Sequence, residues 1–181
     1  MSTTLTRGIE APDYDDIRPR DLWSEILPGL WQGGTDDDDI IGNDKFAKPF
    51  KYGTEKIEAF ITKEDFDAVV TLYQYANPVG WFVNEYRYGF YDAKMSMVDL
   101  NELRNAVDYA YNAWKAGKEV LIRCQAGLNR SGLVTALVLI KDGYDPVEAI
   151  SLIRDKRSPN ALFNLDFERW LVSLDVEAWR N

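Results

Sequence analysis

One cysteine and one arginine are spaced in this chain so that they could act together on a phosphate group. Cys124 is the only cysteine among 181 residues, and Arg130 follows it six positions later. The short segment between them contains Gly127, and Ser131 comes directly after the arginine. A thiolate can attack phosphorus, a guanidinium can bind two phosphate oxygens, and a hydroxyl can donate to sulfur. These residue types indicate nucleophilic attack by Cys124 on a tetrahedral oxyanion.

Such chemistry requires a junction between a strand and a helix. Residues 119–122 are mostly apolar and β-branched, which predicts a buried strand that ends just before the cysteine. Residues 130–142 predict a helix that is apolar on most sides and stops at Gly143. Backbone N–H groups of the intervening loop and the positive end of the helix dipole would face one point. The predicted phosphate-binding residues are Gln125, Ala126, Gly127, Leu128, Asn129 and Arg130.

Strands and helices alternate along the rest of the chain. This alternation predicts an α/β fold, a single domain whose central, mostly parallel twisted sheet is flanked by helices. Such sheets bind ligands at the carboxyl ends of their strands. Further strands are predicted at residues 30–32, 68–72 and 85–90, a loop at 34–55, and helices at 100–116, 146–157 and 165–174. Asp145, with Glu148 three residues later, fits a capping box at the start of the helix 146–157.

Composition limits the possible functions. The chain has no histidine, which excludes Ser-His-Asp catalysis, Cys-His proteases and histidine-based metal sites. Four aspartates at residues 36–39 could bind a cation, although a solvated loop or a first helical turn is the commoner role. We therefore expect no metal and no cofactor. The net charge of −9 disfavours nucleic acid and anionic membranes as partners.

The chain is long enough for one domain with its own core. Residues 1–21 are polar and are expected to form a partly ordered extension before a domain at 22–181. The amino terminus lacks the apolar core of a signal peptide, and the longest apolar stretch, 133–140, is too short to span a membrane. The single cysteine allows no intramolecular disulfide. These features predict a cytoplasmic protein.

Residues 124–132, Cys-Gln-Ala-Gly-Leu-Asn-Arg-Ser-Gly, resemble the signature loop of the Cys-x5-Arg protein tyrosine phosphatases, in particular their compact dual-specificity branch. Residues 25–34 resemble the opening strand segment of that branch, and residues 157–167 resemble its closing segment. The resemblance implies the cysteine phosphatase fold. It also implies hydrolysis of phosphate monoesters through a phosphocysteine intermediate on Cys124.

The leaving oxygen needs a proton donor, and without histidine a carboxylic acid is the natural choice. Relatives in the phosphatase family use an aspartate upstream of the cysteine, which suggests Asp92, 32 residues before Cys124 and just after the predicted strand 85–90. Asp92 would protonate the leaving oxygen and then activate water. Asp99 is the rival candidate, but with Glu102 three residues later it fits a helix N-cap.

Arg123 stands where the phosphatase family usually has histidine. This second cation could help tune the thiol, or it could turn away into a salt bridge. Several aromatic residues precede Asp92, and some could line the cleft and stack on a phosphotyrosine ring, although most are expected in the core. They are Trp81, Phe82, Tyr86, Tyr88 and Tyr91.

The expected substrate is a phosphorylated protein. A compact chain predicts a shallow cleft that admits phosphoserine and phosphothreonine as well as phosphotyrosine. The loop residues 125–129 are uncharged, whereas lipid- and inositol-phosphate members of the superfamily carry lysine there. Residues 127–131 also resemble RNA 5′-triphosphatases of the same superfamily, although the net charge argues against RNA. Two other hypotheses about function remain open: a sulfur-transferring rhodanese-like domain and a catalytically impaired phosphate-binding module.

Overall fold

A computed structural model of the protein describes residues 19, 21–35, 49–51 and 57–181. Nearly all of the predicted extension at 1–21 lies outside these residues, and so do the four aspartates at 36–39, so both expectations stay predictions. Among the described helices, none has the length and apolar character needed to cross a bilayer.

The described strands form two sheets. The strands are β1 (Trp23–Leu27), β2 (Leu30–Gly33), β3 (Pro49–Lys51), β4 (Ile57–Ala59), β5 (Ala68–Thr71), β6 (Asn84–Arg87) and β7 (Val120–Arg123). The larger sheet has five strands in the order β1-β2-β7-β5-β6, and the smaller pairs β3 with β4. Only β1 and β2 are antiparallel in the larger sheet, which confirms the predicted mostly parallel sheet.

The four parallel strands end at one edge of the sheet. Gly33, Arg123, Thr71 and Arg87 lie in register across β2, β7, β5 and β6. Cys124 therefore leaves the sheet at the edge where open α/β sheets usually bind ligands.

Helices follow the predicted order. The helices are α1 (Leu100–Lys115), α2 (Arg130–Lys141), α3 (Pro146–Lys156), α4 (Leu165–Val172) and α5 (Val176–Arg180). The buried helix α2 is covered on all sides over residues 130–140, because it is apolar almost all round. Helix α3 begins with the predicted capping box, in which Asp145 and Glu148 each accept a hydrogen bond from the other's backbone N–H.

Several predicted boundaries were wrong. Residues 49–51 fall inside the predicted loop 34–55 but form β3, because β4 supplies hydrogen bonds that local composition does not reveal. The predicted strand 85–90 is shorter and is β6. The predicted last helix, 165–174, ends at Val172, and a separate helix, α5, follows it.

The capping pattern at the start of α1 is only half formed. Asp99 caps the helix by accepting from the N–H groups of Asn101 and Glu102. The backbone N–H of Asp99 donates instead to Tyr88 Oη at 2.7 Å, so a tertiary contact replaces the reciprocal bond from Glu102. This arrangement favours the capping role of Asp99 over a catalytic one.

Candidate active site

Cys124 lies at the base of a loop between β7 and α2. Its side chain is 2% exposed, and its backbone N–H donates to Gly33 O at 3.1 Å, which extends the pairing of β2 with β7. Ser131, fully buried in the first turn of α2, places its Oγ 3.3 Å from Cys124 Sγ. In the thiolate form of the cysteine this hydroxyl can donate to the sulfur, and such a bond favours the ionised thiol.

The carbonyl groups of the loop are held by the surrounding scaffold. In the described part of the chain, the N–H groups of residues 125–130 have no acceptor, so they can face a common anion. The side chain of Leu128 is buried in the core, so only its backbone N–H can bind the anion. Backbone N–H groups donate to two of these carbonyls: Thr35 N to Gln125 O (2.9 Å) and Leu162 N to Leu128 O (3.2 Å). Side chains donate to the other two: Arg157 Nη2 to Ala126 O (3.3 Å), and Arg157 Nε (3.0 Å) and Gln32 Nε2 (3.2 Å) to Gly127 O.

Gly127 is required by both conformation and space. Its φ of +72° lies in the left-handed region. A Cβ atom at this position would lie 2.4 Å from Gly33 C and 2.5 Å from Arg157 Nη2. Any side chain would therefore push the loop away from β2 and from the arginine that holds it.

The amino terminus of α2 points into the same loop without a side-chain cap. Asn129 occupies the N-cap position but makes no capping bond. Its side chain instead donates to Asp92 Oδ2 at 2.9 Å and accepts from Asn164 N at 2.9 Å. The first N–H groups of α2 are therefore available to an anion bound in the loop.

Arg130 presents a buried donor that lacks a partner. Its side chain is 8% exposed, Nη1 donates to Phe90 O at 3.2 Å, and the Tyr73 ring centre lies 5.2 Å from Cζ. Arg130 Nε is buried and has no acceptor among the described residues. An unmet donor of a charged group costs about 1–3 kcal/mol or more, which an oxyanion at this position would relieve.

Sequence reasoning missed a second cation next to the loop, Arg157. This residue is 7% exposed, and beyond the two loop carbonyls its Nη1 donates to Asp21 O at 2.6 Å and to Ser24 Oγ at 3.0 Å. Burial lowers the pKa of Arg157 to about 10, and the nearby Cys124 opposes this shift. The guanidinium stays charged at neutral pH and lies beside the loop, so it stabilises negative charge bound there.

Asp92 is tied to the rim of the loop by two amides. Asn164 Nδ2 donates to Asp92 Oδ1 at 2.7 Å, and Asn129 Nδ2 donates to Asp92 Oδ2 at 2.9 Å. The predicted acid thus lies beside the signature loop, while Asp99 caps α1. Asn164 was not a predicted site residue, although it lies in the segment that resembles the family's closing segment.

Arg123 turns away into a salt bridge, which is one of the two alternatives left open by the sequence. The side chain is 1% exposed and runs towards β5 and β6. Its Nε donates to Thr71 Oγ1 at 3.0 Å, and its Nη2 lies 3.3 Å from Glu85 Oε2.

The aromatic residues at the site differ from those predicted. Trp81 and Phe82 precede β6 at its amino end, and they are 89% and 86% exposed at the edge of the sheet opposite Cys124. The prediction that Trp81 and Phe82 could line the cleft is therefore wrong. Tyr73 and Tyr75 were missed, yet Tyr73 faces Arg130 and its ring lies 5.7 Å from that of Tyr75.

The other three predicted aromatic residues divide into two groups. Tyr86 donates to Glu102 Oε2 at 2.9 Å, and Tyr88 accepts from Asp99 N, so both face α1. Tyr91 is 61% exposed next to Asp92, and its place in the cleft stays a prediction.

Two sequence comparisons match this chain to phosphatases. A family model described as "Dual specificity phosphatase, catalytic domain" matches residues 50–176. A protein of Invertebrate iridescent virus 6 named "Putative tyrosine phosphatase 123R" is 32% identical over 120 residues, which cover 60% of this chain and 79% of that protein.

Solved structures resemble this fold at lower identity. The crystal structure of human DUSP28 is 19% identical, with a TM-score of 0.62 over 88% of this chain and 93% of that one. OH1 from the Orf virus, a tyrosine phosphatase, is 17% identical, with a TM-score of 0.58 over 85% and 86% of the two chains. These likenesses support the predicted α/β architecture.

Proposed function

Because this chain belongs to the dual specificity phosphatase family, we propose that it hydrolyses phosphate monoesters on proteins through a phosphocysteine intermediate on Cys124. Membership of this family makes the chain a protein tyrosine/dual-specificity phosphatase. What we propose is the phosphocysteine mechanism and the residues that carry it out. One observation carries it. The buried sulfur of Cys124 and the buried Nε of Arg130, which has no acceptor among the residues that the structure describes, flank one loop whose carbonyl groups are bonded outward.

In the first step the Cys124 thiolate attacks phosphorus, and the bond from phosphorus to the leaving oxygen breaks. The phosphoryl group moves to sulfur, and Asp92 gives its proton to the leaving oxygen. The loop N–H groups and the Arg130 guanidinium bind the phosphoryl oxygens as charge shifts among them. The charge of Arg157 stabilises negative charge held in the loop.

In the second step water attacks the phosphocysteine. The Asp92 carboxylate accepts a proton from that water, the sulfur–phosphorus bond breaks, and its electron pair returns to Cys124. Ser131 supports this step because its hydroxyl, 3.3 Å from Sγ, can donate to the developing thiolate. The products are inorganic phosphate and the starting thiolate.

The Asp92→Asn variant is expected to lose about 10²-fold in kcat for an alkyl or aryl phosphate, since general acid–base catalysis contributes about 10²–10⁴-fold. Asparagine keeps the shape of the side chain and one acceptor for the two amides that hold it. Steady-state kinetics on both variants and on the parent chain measures the effect.

Asp99→Asn is the matched control, because Asp99 caps α1 and asparagine is also a good N-cap. Its kcat should stay within about twofold of the parent value, as expected for a surface position away from the chemistry. Loss of kcat only in Asp99→Asn would overturn the assignment of the acid.

The proposed substrates are phosphotyrosine proteins, together with phosphoserine and phosphothreonine proteins. Uncharged side chains at residues 125–129 support this choice over polyphosphate lipids or inositols. The net charge of −9 supports protein substrates over an RNA 5′-triphosphate, which remains the second candidate within the superfamily. An impaired phosphate-binding module is less well supported, because the nucleophile, the arginine and an acid are all present.

Turnover of para-nitrophenyl phosphate, inhibited by vanadate, tests the proposed activity. Mass spectrometry of acid-quenched enzyme should detect one added phosphoryl group on the Cys124 peptide during turnover. Parallel assays with phosphotyrosine and phosphothreonine peptides, a 5′-triphosphorylated RNA and thiosulfate separate the candidate classes. Tungstate binding without any turnover would favour the binding module, and release of phosphate from the RNA alone would favour the triphosphatase.

We also place the protein, as part of this proposal, in the reducing cytoplasm. Catalysis requires the free thiol of Cys124, and cytosolic thioredoxin and glutathione keep such thiols reduced. Fractionation of cells that express the chain would test this, and recovery from an oxidising compartment would contradict it.

A further inference from the structure

Three charged side chains and one hydroxyl form a hydrogen-bonded cluster at the carboxyl ends of β5, β6 and β7. We call Arg123, Arg87, Glu85 and Thr71 the arginine cluster. Glu85 Oε2 accepts from Thr71 Oγ1 at 2.6 Å, from Arg87 Nη1 at 3.1 Å and from Arg123 Nη2 at 3.3 Å. Two guanidinium groups thus share one carboxylate. Arg123 is buried whereas Arg87 is exposed. Burying the Arg123 guanidinium is costly unless further hydrogen bonds satisfy its remaining donors.

Those further bonds go to the segment that follows β5, residues 73–77. Arg123 Nη2 donates to Asn77 O at 2.6 Å, and Arg87 Nη2 donates to Ala76 O at 2.7 Å. The arginine cluster therefore holds this segment by its backbone, independently of the side chains that the segment carries.

The segment 73–77 in turn touches the phosphate-binding arginine. The Tyr73 ring centre lies 5.2 Å from Arg130 Cζ, which is within the range of a cation–π contact. The backbone carbonyl of Phe90 accepts a hydrogen bond from Nη1 of the same guanidinium. Tyr73 and Phe90 thus constrain Arg130, while its Nε has no acceptor within the described part of the chain.

We propose that Arg123 is a positioning residue for Arg130, acting through the backbone of residues 73–77 and the ring of Tyr73. The proposal rests on the role given to Arg130 under the proposed function. Arginine suits this task because its planar fork reaches Thr71, Glu85 and Asn77 together. A histidine, with two ring nitrogens, has too few donors to hold all three.

Oxyanion binding measures the effect without catalysis. In a Cys124→Ser background, we expect Arg123→Met to weaken tungstate binding about 5- to 10-fold by calorimetry, the size of a lost cation–π contact. Tyr73→Leu should weaken it to a similar degree. The double variant should be no worse than either single variant, because both break one chain of contacts. Arg123→Lys should keep part of the affinity.

Arg104→Met is the matched control, since Arg104 also stacks on an aromatic ring, that of Trp179, at 4.3 Å. It should leave tungstate affinity unchanged. Thermal unfolding checks each variant, and if Arg123→Met does not fold, Arg123→Lys and Arg123→His take its place with the same expected coupling to Tyr73→Leu.

A second readout separates positioning of Arg130 from direct tuning of the thiol. In chains that retain Cys124, the pH dependence of iodoacetate alkylation should be the same with and without Arg123→Met. A raised thiol pKa with unchanged tungstate affinity would overturn the proposal, and so would additive losses in the double variant. If the Cys124→Ser chain binds no tungstate at all, the proposed function itself fails. If it binds tungstate but the Cys124 chain shows no turnover, only the catalytic role fails.

Discussion

Cys124→Ser is expected to lower the turnover number for para-nitrophenyl phosphate by at least about 10⁴-fold, as for loss of a catalytic nucleophile in other enzymes. A serine hydroxyl ionises far above neutral pH, so the buried positive surroundings that favour a thiolate cannot produce a comparable nucleophile. Initial rates at equal enzyme concentration measure the loss.

The same variant should still bind tungstate, because the loop N–H groups and Arg130 remain. This result would separate loss of the nucleophile from loss of the fold. Activity within about tenfold of the parent chain would contradict the proposal, since knockouts of nucleophiles cost far more. The nucleophile would then have to be a residue other than the only cysteine.

The chemistry of the loop could be predicted because its determinants are local in sequence. A short apolar strand, a cysteine, a glycine at positive φ and a helix that is apolar all round specify the junction β7–loop–α2. Helix caps were equally local, and the box at Asp145 and Glu148 formed as predicted. The alternation of strands and helices can also be read from local sequence, and it predicts a mostly parallel central sheet.

Residues that support the loop could not be predicted, because they reach it from distant parts of the chain. Arg157 binds carbonyl groups some 30 positions away, and Asn164 binds Asp92 across 72 positions. No spacing in the sequence identifies such pairs. Their contacts depend on how the closing segment packs against the loop.

The prediction that Trp81 and Phe82 could line the cleft was wrong for a related reason. Aromatic character does not specify which edge of a sheet a residue occupies. The direction of β6 places Trp81 and Phe82 before the strand, far from the carboxyl edge, whereas Tyr73 follows β5 and reaches the site. Strand direction therefore carried more information about the cleft than residue type.

Arg130→Lys is expected to lower kcat/KM by about 10³-fold, within the range that arginine contributes to phosphoryl transfer in other enzymes. Lysine keeps the positive charge but loses the planar fork that binds two phosphoryl oxygens at once. It also removes the Nε donor, for which the described residues offer no acceptor. Steady-state kinetics with para-nitrophenyl phosphate, together with tungstate binding, measures both effects.

Arg180→Lys is the matched control for this change. Arg180 also donates to backbone carbonyls, those of Ile140 and Tyr144, but it lies in α5 at the end of the chain. Its replacement should leave kcat/KM within about twofold, as for positions away from the site. If Arg130→Lys stayed within about tenfold of the parent chain, charge alone would be sufficient, and the bidentate geometry assigned to Arg130 would be wrong. A large loss in Arg130→Lys alone would tie catalysis to the shape of the guanidinium, because both variants keep their charge.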